Sequence, residues 1–111
     1  MPHCIIECSD NFSNSSKLLI DAVHQGALAS ELFSEDDIKT RLVTYDAFQT
    51  GTTEKPFVHV VAKILAGRSS EQKSTLSHVI LSELQAINLG MCSITVEVVD
   101  IDTSSYAKVV M

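Results

Sequence analysis

At 111 residues the chain has room for one domain with a modest core, and with 45% hydrophobic residues it is too apolar to stay disordered. Its formal charge of −6, fourteen acids against eight bases, excludes the basic stripe of a nucleic-acid module and disfavours an anionic membrane surface. Three cysteines, an odd number, and a start (MPHCIIECSD) lacking a basic region or long apolar run point to free thiols in a reducing cytoplasm, not to secretion.

The first element is an apolar strand beginning at Pro2 and carrying Cys4, Ile5 and Ile6. A helix is expected over about 15–32, with Ser13 as its N-cap. Leu18, Leu19, Ala22, Val23, Gly26, Ala29 and Phe33 recur at three- and four-residue spacing and form its apolar face. Glu35, Asp36 and Asp37 read as a solvated loop, and Lys39 and Arg41 begin the second strand. A turn near Gly51, closed by Pro56, leads to a third strand over 57–66. That run is the most apolar in the chain, but His59 and Lys63 interrupt it and it is too short to span a bilayer. A second helix is expected over about 70–88, with Leu76, Val79, Ile80, Leu84 and Ile87 inward, a Ser69/Gln72 capping box at its start and Gly90 as its stop. A fourth strand ends at Asp100 and a tail occupies 103–111.

These elements repeat. PHCIIECSDNFS slides onto VHVVAKILAGRS with His3 over His59 and Ser13 over Ser69, and TRLVTYD, ending at Asp46, resembles ITVEVVD, ending at Asp100. Pseudo-repeats at about 2–48 and 56–102 therefore each read strand–helix–strand. The fold class expected is α+β, a two-layer α/β sandwich of two β-α-β units in a single domain. Both faces of the third strand are apolar: Val58, Val60, Ala62 and Ile64 on one, Phe57, Val61 and Leu65 on the other. Two helices cover one face only, so an oligomer is expected to cover the other.

Helical crossovers make the strands of each half parallel and right-handed, and a short turn reverses direction between the halves. Pro2, Lys39, Arg41 and Arg68 then fall at one end of the sheet. Arg41 and Arg68 are the chain's two arginines, and a guanidinium fork matches a carboxylate. Removal of Met1 would leave Pro2 with a free secondary amine. Apolar surroundings and nearby cations disfavour the charged form of such an amine and make it a base. With Met1 retained, the Pro2 nitrogen is an amide and is not basic. The histidines, His3, His24, His59 and His78, show no metal-ligand spacing with cysteine, and neither metal nor cofactor is expected. Tyr106 in the tail reads as a packing residue that could reach a neighbouring subunit.

The run Pro2-His3-Cys4-Ile5-Ile6-Glu7-Cys8-Ser9-Asp10-Asn11, with Phe57-Val58-His59, Lys63 and Ala66-Gly67-Arg68-Ser69, resembles the 5-carboxymethyl-2-hydroxymuconate isomerases of the tautomerase superfamily. The resemblance implies a homotrimer of packed sheets and a cofactor-free isomerase. In it, Pro2 moves a proton on a carboxylate-bearing unsaturated keto or enol acid while Lys39, Arg41 and Arg68 bind the substrate. Lys39 stands where relatives often carry arginine, which keeps the charge and loses the fork. The tail is also shorter. A non-catalytic oligomer that uses the same basic island to bind an anion or a protein is the alternative.

Overall fold

In the computed structural model, which describes residues 1–111, β1 (His3–Ser9) leads through a 3₁₀ segment (Asp10–Ser15) into α1 (Ser16–Ala29) and back to β2 (Lys39–Tyr45). The second half follows as β3 (Phe57–Leu65), α2 (Ser70–Ala86) and β4 (Ser93–Ile101), then a 3₁₀ turn at Thr103–Ser105. The four strands form one sheet in the order β2-β1-β3-β4. β1 and β2 are parallel, β3 and β4 are parallel, and β1 meets β3 antiparallel. The fold is the α+β sandwich expected, and no helix is long and apolar enough to cross a membrane.

The alternation of strand residues decides which face the helices cover. Cys4, Ile6, Cys8, Val58, Val60, Ala62 and Ile64 point one way and are fully buried. They meet Leu19, Val23 and Ala27 from α1 and Leu76, Ile80 and Leu84 from α2. The opposite face carries His3, Ile5, Glu7, Arg41, Val43, Val61 and Val99, with no layer over it.

Three local expectations shift. α1 starts at Ser16, because burial of Phe12 winds Asp10–Ser15 into a tighter turn in which Ser13 Oγ donates to the Asp10 carbonyl at 2.8 Å. Ser13 therefore caps no helix, and Ser15 holds the N-cap position without a side-chain bond. Of the adjacent pair Leu18 and Leu19 only one can face inward: Leu19 is buried and Leu18 is 57% exposed. The helices stop where Glu31 and Asn88 take a left-handed conformation, each at φ 62°, so α2 ends before Gly90. The Ser69/Gln72 capping box forms in full, with bonds of 2.9 and 3.1 Å.

The two halves share one register. His3 lies opposite Lys39 and His59 opposite Thr95, while Tyr45 lies opposite Ser9 and Ile101 opposite Leu65. With His3 over His59, Asp46 thus corresponds to Asp102, two residues beyond Asp100, which matches it in sequence pattern. A slip of two preserves every side chain's face, which is why the hydrophobic pattern could not detect it.

Candidate active site

Pro2 is fully buried at the mouth of β1, its carbonyl accepting from the Lys39 backbone N–H at 3.2 Å. Met1 sits over it, with Lys39 Nζ 3.2 Å from the Met1 sulfur. A groove of about 560 Å³ opens beside the chain start. Asp36, Asp37 and Lys39 form one wall, and Tyr106, Lys108 and Val109 from the tail form another. After β4 the tail passes across this end of the sheet, tied by a hydrogen bond between Tyr106 and His3 (2.9 Å) and an ion pair of Lys108 with Asp37 (3.8 Å).

The chain-end amine is pushed below its ordinary value of 8.0, chiefly by burial. Asp37 opposes the shift, while Lys108, Arg68 and Lys39 reinforce it by disfavouring a further positive charge. Three of the chain's eight bases, Lys39, Arg68 and Lys108, thus act on the chain start, together with Asp37.

Arg68 reaches this site through a turn that depends on Gly67, whose φ of 123° lies in the left-handed region. The chain then doubles back, so that the Arg68 guanidinium donates to the Leu32 carbonyl at 2.8 Å and lies 5.7 Å from the centre of the Phe33 ring. One edge of the fork holds the loop after α1.

Arg41 is placed differently. Strand alternation puts it on the same uncovered face as Lys39, but its Nη1 is held 3.2 Å from His3 Nδ1 and its charge is not among those acting on the chain-end amine. Pro2, Lys39 and Arg68 are therefore gathered at the chain start, whereas Arg41, two residues along the same face from Lys39, is turned to His3. Burial, and then the charge of Arg41, lower the pKa of His3. Lys108 and Tyr106, not assigned to the site from sequence, belong to the groove. The tail has no periodicity from which their position could be read, and only the end of β4 at the Pro2 side of the sheet hints at it.

The pseudo-symmetric end of the sheet has other chemistry. There His59 Nε2–H donates to Glu97 at 2.6 Å, Thr95 Oγ1 is 2.6 Å from His59 Nδ1, and Tyr45 donates to Glu7. A larger groove of about 670 Å³ lies at that end between Lys55–Pro56 and Gly90–Ser93, but Lys55 is its only cation. Nowhere do three or more His, Cys, Asp or Glu side chains converge as metal ligands.

A model of the 5-carboxymethyl-2-hydroxymuconate isomerase family matches residues 2–108. The chain belongs to that family. A 5-carboxymethyl-2-hydroxymuconate Delta-isomerase from Escherichia coli is 35% identical over 77 residues, covering 66% of this chain and 61% of that protein. The chain thus spans less than two thirds of the relative's length. Among solved structures, a 5-carboxymethyl-2-hydroxymuconate delta-isomerase superposes with a TM-score of 0.82 at 12% identity, covering 100% of this chain and 89% of the other. A 5-carboxymethyl-2-hydroxymuconate isomerase from Deinococcus radiodurans R1 gives 0.79 at 22% identity, covering 96% and 87%. A fused 4-OT symmetric trimer gives 0.77 at 18% identity, covering 96% and 90%. These likenesses establish the fold, and the match to the family model covers Pro2, Lys39, Arg41, Arg68, Tyr106 and Lys108 alike.

Proposed function

We propose that the mature protein, with Met1 removed, is a cofactor-independent tautomerase in which the Pro2 nitrogen is the general base. Its substrate is a small unsaturated keto or enol acid of the 5-carboxymethyl-2-hydroxymuconate kind. The observation that carries this reading is the Met1 amine, one residue before Pro2. It lies beside a groove of about 560 Å³, and burial together with Lys108, Arg68 and Lys39 favours its neutral form. Loss of Met1 opens Pro2 to that groove, and the same surroundings then act on a secondary amine. A base tuned in this way contributes roughly 10²–10⁴-fold in rate.

In the proposed reaction the neutral Pro2 nitrogen takes a proton from one end of the conjugated system and returns it to another. The electron pair passes through an enolate. Lys39 and the free edge of Arg68 hold a substrate carboxylate against the groove wall, fixing the reacting atom near the nitrogen.

We further propose a homotrimer acting in the cytoplasm. The uncovered sheet face exposes Val43 and Val99 beside half-buried Ile5 and Val61, an apolar strip that a second copy would cover. One fold neighbour, the fused 4-OT protein, is a symmetric trimer. Arg41 lies on that face with its guanidinium engaged by His3. All three thiols are free, which suits a reducing compartment.

The test is a pH–rate profile of Met1-processed protein on a panel of dienol acids and phenylenolpyruvate, with intact mass measured on the same sample. Turnover should rise with pH through one ionisation and disappear on acylation of Pro2. Pro2→Ala should turn over at least about 100-fold more slowly while keeping the fold. Undiminished turnover by Pro2→Ala would remove the base. A native chain that keeps Met1 would leave a groove that binds anions without proton transfer.

A further inference from the structure

The hydrogen bonds around His3 can be oriented without ambiguity. A guanidinium has only N–H donors and keeps its proton throughout the working pH range. Arg41 Nη1 lies 3.2 Å from His3 Nδ1, so Nδ1 must present its lone pair. The imidazole proton then sits on Nε2, which is 2.9 Å from the Tyr106 oxygen. His3 is the donor in that bond and the phenol oxygen is the acceptor. Burial and the neighbouring cations favour the same neutral ring. The hydroxyl proton of Tyr106 is consequently not used on His3, and Tyr106 lines the groove beside Met1, Lys39 and Lys108.

The ring is held in place. Its edge-to-face packing on His3 has centroids 6.0 Å apart at an interplanar angle of 67°. The preceding turn is pinned by Asp102, whose carboxylate accepts from the Ser104 N–H at 3.0 Å and hydroxyl at 2.7 Å. At the pseudo-symmetric end the corresponding histidine, His59, gives its Nε2 proton to a carboxylate, and no phenol is left with a free proton there.

We propose that Tyr106 donates its hydroxyl hydrogen bond to the enolate oxygen that develops when Pro2 removes a proton, with His3 and Arg41 as positioning residues. This rests on the proposed role of Pro2. In the step, a substrate C–H bond breaks, its proton forms an N–H bond on Pro2, and the electron pair moves onto the carbonyl oxygen. Tyr106 stays protonated and shares its hydrogen with that oxygen. When Pro2 returns the proton to a different carbon, the carbonyl re-forms. Accepting from His3 polarises the phenol and makes it a stronger donor.

Tyr106→Phe should lower kcat by about 10–100-fold with KM within about threefold; one oxyanion donor in a closed site gives about 10²–10³, and this groove is open on one side. His3→Leu should lower kcat likewise. His3→Gln should recover most of it, because the amide oxygen can accept from Arg41 while its N–H₂ donates to Tyr106. Replacing Tyr106 with 3-fluorotyrosine, which preserves the ring's packing and makes the phenol a stronger donor, should keep turnover close to the parent, unlike Tyr106→Phe. An unchanged kcat in Tyr106→Phe, equal losses in His3→Gln and His3→Leu, or a 3-fluorotyrosine protein as slow as Tyr106→Phe would each overturn the proposal. Pro2→Ala, measured in parallel, separates the two ideas. Normal turnover in Pro2→Ala defeats the base, whereas a dead Pro2→Ala beside a fully active Tyr106→Phe defeats only the donor.

Discussion

Gly26→Ala is a sensitive probe of how the helical layer is built. Gly26 is buried in α1 where that helix crosses α2, and a Cβ there would lie 2.7 Å from Ile80 Cα, 3.0 Å from Ile80 Cγ1 and 3.1 Å from Ile80 N. Carbon atoms that touch normally sit about 3.5–4.0 Å apart. Two of the three atoms are backbone and cannot rotate away, so the helices must separate. Overpacking of this kind costs about 1–3 kcal/mol, and a backbone clash belongs in the upper half of that range. Alanine's helix propensity returns about 1 kcal/mol. The net expectation is a loss of about 1–2 kcal/mol, or about 4–9 °C in Tm for a domain of this size. Thermal melts at one fixed protein concentration measure it, since assembly would otherwise shift both proteins. Ile80→Ala in the Gly26→Ala background removes the clash with the side chain but leaves the clash with the backbone of residue 80, so it should not restore stability. A Gly26→Ala protein that melts at or above the parent temperature, or a double variant that recovers, would refute this account of how α1 packs on α2.

Asp37→Asn removes the one charge that raises the chain-end amine, so in protein that retains Met1 the midpoint for amine acylation should move to lower pH; an unmoved or raised midpoint would contradict the electrostatics. Arg68→Lys loses the bond to the Leu32 carbonyl and the face of Phe33 but keeps the charge. It should cost about 0.5–1.5 kcal/mol in urea unfolding, and an unaltered midpoint would show that the loop does not need the fork. Burial raises Cys4 to about 11, and Cys8 is equally inaccessible, whereas Cys92 is half-exposed. A thiol-exchange reagent at mild alkaline pH should therefore titrate one thiol in native protein and three after denaturation, and two fast thiols would place Cys4 or Cys8 wrongly.

Much of the candidate site's placement was legible because it follows from topology. Two crossovers and one reversal put the starts of β1 and β2 and the end of β3 together, whatever the side chains do. The capping box at Ser69 and Gln72 was equally legible, being a local bond pattern with its own sequence signature. Orientation was harder. That Arg41 faces away from the helices follows from its being two residues from Lys39 and opposite Ile5, but only once the register is known. Whether the chain enters α1 at Ser13 or Ser16 turned on burial of Phe12, a tertiary effect. The tail was opaque. Tyr106 and Lys108 gain their places from His3 and Asp37, partners about a hundred and about seventy residues away in sequence, and no local pattern marks such pairings.

The duplication explains why a fold with two similar ends has one candidate site. In the shared register Lys39 corresponds to Thr95 and Arg41 to Glu97, and with His3 over His59 the partner of Pro2 is Val58. Each histidine thus stands beside a diagonal neighbour of opposite charge type, a guanidinium at one end and a carboxylate at the other. The guanidinium forces the His3 proton onto Nε2 and keeps the ring neutral, while the carboxylate at His59 accepts the equivalent proton. Exchanging Arg41 and Glu97 would therefore do more than move a charge. It would reverse which ring nitrogen of His3 is free and withdraw the donor that leaves Tyr106 its own proton. The variant Arg41→Glu, in which the new carboxylate accepts from the His3 ring, should lose turnover even though every residue lining the groove is retained. Full activity in that variant would mean that the two ends differ only in their proline and their lysines.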